Sequence, residues 1–288
     1  MVVGASVGMG RGVARQLGRA GATVYCVGPR GTGTRSTAYA AGRVASVEET
    51  AALVSREGGD GIAVHLDPGV NARVAELFVR VRRDHGRLDI LVNGFGWRSS
   101  GVPIGRFWTY TRQEAGTLSR VVRSHVTTCL HAASLMSERQ SGLIVELCPS
   151  QAPFDPALLF SDLGRVVQIR LAAAVAKELE PFGVAALALT PGQLPTDALE
   201  REASGVRAYG TATAPDVLAS ETGDLVGRAV VALAGDPRVG RKSGGLYGTW
   251  ALAREYGLTD DDRGRSSPGR ISDEYRACGR VGAAQWLA

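Results

Sequence analysis

Cysteine is scarce and scattered in this chain: Cys26, Cys129, Cys148 and Cys278 are its four, with no Cys-x-x-Cys spacing. That pattern excludes a thiolate metal site, no metal is expected, and a disulfide framework is disfavoured. No stretch approaches the roughly 20 apolar residues that a membrane-spanning helix needs. No charged-then-apolar leader precedes the first glycine-rich turn, so a cytoplasmic protein without membrane contact is expected. Lysine is almost missing: of 33 basic residues, only Lys177 and Lys242 are not arginine. An arginine at any one position is therefore weak evidence of a role. The net charge of +5 and pI near 9.3 raise nucleic acid as a partner. The arginines are dispersed rather than clustered, however, and an ordinary basic surface is the better reading. No shift in composition marks a second domain, and 288 residues suffice for one large α/β unit with a substantial core.

What the chain does contain begins at its N-terminus. Val2-Val3 is a short apolar strand running into Gly4-Ala5-Ser6-Val7-Gly8-Met9-Gly10, and Arg11 to Gly18 reads as a helix with apolar Val13, Ala14 and Leu17. Glycines suit such a turn because backbone must approach a pyrophosphate closely, and the helix behind it offers N–H groups and a positive dipole end. Only three residues precede Gly4, whereas a central parallel strand usually runs about five to six. A clipped first strand and a weakened mount for the turn are expected.

Strands and helices then alternate. Ala22 to Val27 reads as a strand, Ser46 to Arg56 as a helix, Gly61 to Leu66 as a strand ending at Asp67, Ala72 to Arg83 as a helix, and Leu88 to Asn93 as a strand. This order means a parallel sheet wound by βαβ units, with ligands at the carboxyl ends of the strands, where Gly8, Asp67 and Asn93 fall.

On these residues the chain resembles the short-chain dehydrogenase/reductase family, up to about residue 250, and in particular its subgroup with a long C-terminal extension. Gly4 to Gly10 is similar to the family's Thr-Gly-x-x-x-Gly-x-Gly cofactor turn, with Val3 in place of Thr. Asp67 resembles the acidic residue that holds the adenine, Asn93-Gly94-Phe95-Gly96 resembles Asn-Asn-Ala-Gly, and Pro191-Gly192-Gln193-Leu194-Pro195-Thr196 resembles the segment that closes over the nicotinamide. The resemblance implies a single Rossmann-type doubly wound α/β domain over residues 1–257, helices on both faces, and a C-terminal extension over 258–288 that packs on the domain or a neighbouring subunit. It assigns a nicotinamide dinucleotide to Gly4, Ser6, Gly8, Met9, Gly10, Arg30, Asp67, Asn93, Gly94, Pro191, Gly192 and Thr196. The second strand ends in Gly28-Pro29-Arg30, with Arg35 following, and lacks the acidic reader of a ribose 2′-hydroxyl. NADP(H) is therefore favoured over NAD(H).

The same resemblance exposes losses. Pro149 falls where the family keeps Ser, Ser161 where it keeps Tyr, Arg165 where it keeps Lys, and His125 or Ser124 where it keeps Asn. A phenol starts near pKa ~10 and a neighbouring ammonium brings it towards neutrality, so Tyr beside Lys passes a proton to a carbonyl oxygen. The Ser161 hydroxyl is a far weaker acid. Arg165 keeps the charge four residues along the same helix face but does not titrate. His125 is the best substitute acid, since imidazole titrates near neutrality. Ser150 and Cys148 flank the strand end within reach of a substrate, and Ser161 could position a water. Asp155 and Asp162 are further donors if desolvated.

The rim implied by the resemblance is apolar: Gly96 to Tyr110, Gln151 to Phe160 and Leu194 to Tyr209. Leu118 to Met136 and Leu159 to Leu179 correspond to the family's pairing helices, and the second is apolar nearly all round, so a homodimer or homotetramer is expected. Three readings of function stay open. The chain is a divergent NADP(H)-dependent oxidoreductase for a small or apolar carbonyl or alcohol, a non-redox lyase, isomerase or cyclase, or an inactive binding subunit on the same fold.

Overall fold

The computed structural model describes residues 1–29, 46–94, 108, 111–148, 159–191 and 221–260, with the side chains of 113–115, 117 and 160–162 outside that description. In chain order the elements are β1 (Val2–Val3), α1 (Gly8–Arg19), β2 (Thr23–Gly28), α2 (Val47–Arg56), β3 (Asp60–His65), α3 (Asn71–His85), β4 (Ile90–Asn93), α4 (Arg112–Arg139), β5 (Gly142–Leu147), α5 (Leu159–Leu179), β6 (Val184–Thr190), α6 (Gly223–Gly235), β7 (Leu246–Gly248) and α7 (Thr249–Tyr256). The strands form one parallel sheet in the order β3-β2-β1-β4-β5-β6-β7. The doubly wound α/β class is as expected.

β1 comprises two residues, yet both are buried and paired on either side, Val3 with Val27 of β2 and with Asn93 of β4. α1 starts earlier than the apolar period suggests, because the Arg11 N–H already reaches back to Val7 O at 3.3 Å. α4 likewise starts before Leu118, through polar turns that carry no apolar rhythm. The all-buried β6 and the short β7 carry no alternation by which to recognise them.

The sheet divides the core in two. Leu143, Val145 and Leu147 of β5 join the layer of α1, α2 and α6, while Ile144 faces the side of α3, α4 and α5. Cys148, just past the strand, packs with Ala172 of α5 and Ala188 of β6. Strand alternation therefore sends Glu146 to the same side as Ile144 and Cys148. In the α1 layer, Thr222 caps α6 by accepting from the Leu225 N–H at 3.2 Å, and the buried Asp260 holds that threonine through its N–H at 2.9 Å and its hydroxyl at 2.6 Å. The expected boundary near 257 falls beside the end of α7, and the extension beyond 260 lies outside the described residues. Among the described residues no helix is long and apolar enough to cross a membrane.

Candidate functional site

Gly4 to Gly10, Asp67, Asn93 and Gly94 stand at the carboxyl ends of β1, β3 and β4. Gly4 (φ 82°) and Gly8 (φ 54°) adopt left-handed backbone between β1 and α1, which favours glycine at both places. The Gly4 and Ala5 N–H groups both donate to Val27 O, tying the turn to β2. A Cβ on Gly10 would lie 2.3 Å from Gly4 O, so this position also requires glycine. No side chain caps α1 and no acidic residue stands in its first turn, which leaves its positive end toward the turn. Met9 packs against the core from the same turn, and the Ser6 hydroxyl lies beside Gly28 at the end of β2. Gly94 extends this floor, its N–H donating to Val3 O at 2.8 Å.

Asp67 follows β3. Its Oδ1 accepts from the Gly69 N–H at 3.0 Å and lies 3.7 Å from Arg120 Nε of α4. Pro191, at the end of β6, is buried. Arg30, Ser150, Gly192 and Thr196 lie outside the described residues, as do Pro149 and Asp155 and the rim segments apart from Trp108, Leu159 and the backbone of Phe160. Trp108 is exposed. Ser161 belongs to α5, one turn before Arg165. Arg165 is buried, with the charge carried inside the fold near Cys148.

Two of the sequence candidates turn inward. The Asn93 side chain, expected against the cofactor, is buried on the α4 side, where Nδ2 donates to Glu146 Oε1 at 2.7 Å and Oδ1 accepts from the Thr128 hydroxyl at 2.9 Å. His125, expected as the proton donor, is 1% exposed. Its Nδ1 contacts Glu146 Oε2, and its Nε2 lies 3.1 Å from Gln168 Nε2 of α5. With that nitrogen engaged, direct proton delivery to a substrate would require Gln168 to give way. Cys129 donates its thiol to Glu146 Oε1 at 3.2 Å. Burial pushes the Cys129 and Cys148 thiols far up, and the Glu146 carboxylate pushes further; Asn93 opposes the shift at Cys129 and Arg165 opposes it at Cys148. Both remain thiols, which suits packing and not nucleophilic chemistry.

Glu146, at the centre of this cluster, belongs to none of the sequence motifs. The signal was one acid inside the apolar strand Leu-Ile-Val-Glu-Leu, since a charge at a buried strand position needs partners.

The described geometry can cradle a dinucleotide at the turn and present a buried cation where the family keeps lysine. Comparison with known proteins bears on the family and the fold. The family model for short chain dehydrogenase matches residues 1–206. The chain is 33% identical to the mouse (Mus musculus) dehydrogenase/reductase SDR family member 1 over 302 residues, spanning all of this chain and 90% of that protein. A short chain dehydrogenase from Mycobacterium thermoresistibile superposes with a TM-score of 0.71 at 19% identity, covering 93% of this chain and 90% of the other. A metagenomic short-chain oxidoreductase solved with NADP superposes with a TM-score of 0.61 at 21% identity, covering 81% and 88%. By its matched family model and its similarity across the full chain, the protein belongs to the short-chain dehydrogenase/reductase family of oxidoreductases.

Proposed function

We propose that this protein is an NADP(H)-dependent oxidoreductase for a small or apolar carbonyl or alcohol, in which Arg165 and Ser161 replace the family's lysine and tyrosine. The observation that carries the reading is the β1–α1 turn, where the contact of Gly10 with the Gly4 carbonyl leaves a backbone lining suited to a pyrophosphate. Gly4, Ser6, Gly8, Met9 and Gly10 would hold the pyrophosphate and the adjoining ribose, Asp67 the adenine, and Gly94 the floor beneath. β2 ends at Gly28 and is followed by Pro29, with no carboxylate for a 2′-hydroxyl, which supports NADP(H), the cofactor held by the metagenomic relative.

When bound, the nicotinamide supplies or accepts the hydride. The chain's part is orientation and charge. Arg165 holds a permanent cation near the reacting oxygen or the ribose, and the proton at that oxygen comes from water positioned by the Ser161 hydroxyl. Orientation alone retains a large share of the rate advantage of a bound pair. The exposed apolar side chains Val126 and Leu130 on α4, and Leu163 and Val166 on α5, support assembly of two copies through these helices.

The test is consumption of NADPH with a panel of apolar aldehydes and ketones. Turnover by the native protein, lowered in Arg165→Ala and raised by Ser161→Tyr with Arg165→Lys and Pro149→Ser, supports the reading. No turnover by either the native protein or the restored variant contradicts it.

A further inference from the structure

Glu146 is wholly buried on β5 and collects donors from two other elements. Asn93 Nδ2 of β4 and Cys129 Sγ of α4 share Oε1, while His125 Nδ1 of α4 faces Oε2. With Oε2 an acceptor as Oε1 is for its two donors, the imidazole places its proton on Nδ1. That tautomer leaves a lone pair on Nε2, and the Gln168 amide N–H donates to it across 3.1 Å. These two contacts are mutually consistent for one tautomer. Gln168 and Arg165 are three residues apart on α5 and both are buried, so they share its inner face. Among the described residues, the groups facing this cluster include Glu146 of β5, Cys148 just past it, Asn93 from β4, Cys129 and Thr128 from α4, and Arg165 from α5.

We propose that Glu146 is a positioning residue: it fixes the tautomer of His125 and, through Gln168, the orientation of the α5 face that carries Arg165. The consequence for cofactor or substrate rests on the redox reading above; the positioning itself does not. In Glu146→Gln, the amide keeps its oxygen toward the two donors Asn93 and Cys129, which turns its NH2 toward His125 Nδ1. The ring must then move its proton to Nε2. That proton opposes the Gln168 N–H, so the Gln168 amide must flip. Glu146→Asp keeps an acceptor and restores the original ring state.

The test is nitrogen NMR of the imidazole rings and of the arginine Nε–H groups, with His125→Gln and Arg165→Lys used to assign the two signals. The expected result is a native His125 protonated on Nδ1 and not on Nε2 near pH 7, reversed in Glu146→Gln and recovered in Glu146→Asp, with the Arg165 signal moving alongside. A native ring protonated on Nε2 would overturn the proposal even if no variant folded. So would a folded Glu146→Gln in which the ring or the Arg165 signal is unchanged. In a native protein that binds NADPH, Glu146→Gln should also weaken binding about tenfold. Native protein that binds no NADPH, yet shows the expected ring states, contradicts the redox reading and leaves the positioning intact.

Discussion

Replacing Gly10 with alanine puts a methyl group 2.3 Å from Gly4 O, 2.9 Å from Gly4 C and 3.2 Å from Ala5 Cα. All three are backbone atoms, so no side chain can swing aside. Comfortable heavy-atom contacts fall near ~3.5 Å, and the turn must open by about 1 Å to restore one. Overpacking of this kind costs about 1–3 kcal/mol, and the rigid neighbours place Gly10→Ala at the upper end. At about 2–4 °C per kcal/mol, the expected fall in Tm is about 6–12 °C. Gly8→Ala provides the contrast. Nothing lies within 4 Å of its added methyl, and only the left-handed φ of +54° opposes it, at about 1–2 kcal/mol and about 2–8 °C. Differential scanning calorimetry should rank Gly10→Ala below Gly8→Ala. Titration with NADPH should show at least about a tenfold loss for Gly10→Ala, equivalent to 1.4 kcal/mol. A Gly10→Ala protein that melts and binds like the native one would refute the tight turn.

Three further outcomes are expected. The Tyr256 hydroxyl donates to Asp236 Oδ2 at 2.6 Å and, with the Arg238 N–H, holds that carboxyl below the ordinary range. A depressed folded pKa adds stability that is present above the unfolded value near ~4 and is lost as pH falls through the folded value. Asp236→Asn should therefore reduce stability at neutral pH and show a smaller decline toward acid in urea titrations; an unchanged acid decline would contradict this. Burial pushes the Cys26 thiol up to about 11 and also raises those of Cys129 and Cys148. In a Cys278→Ser background these three should react with Ellman's reagent near pH 8 only on unfolding, so any rapidly titrating thiol would count against their burial. Leu130→Glu combined with Val166→Glu should convert the proposed assembly to monomer by light scattering, and unchanged mass would remove this face from the interface.

Much of the scaffold was legible because its signals are local. The glycine turn declares itself through residue type, and the alternation of apolar strands with amphipathic helices announces a parallel sheet before any contact is known. β6 was illegible for a physical reason: a strand buried on both faces has no period, and Val184–Thr190 reads as a bare apolar run. The polar cluster was only half legible. His125 stood out because imidazole titrates, but its direction depends on the rotation of α4, and its partner Glu146 lies 21 residues away on another element. Asn93 showed the same limit from the other side. Its place at a strand end was readable, whereas its inward side chain follows from the acceptor that Glu146 provides across the adjacent strand, where Asn93 and Glu146 are in register.

The measurement that tests the central claim most directly is a calorimetric titration of the purified, folded protein with NADPH, with NADH in parallel. The account predicts saturable binding at micromolar concentration, tighter for NADPH than for NADH. Absence of binding to both would contradict it, because a glycine turn with this geometry would then hold no dinucleotide.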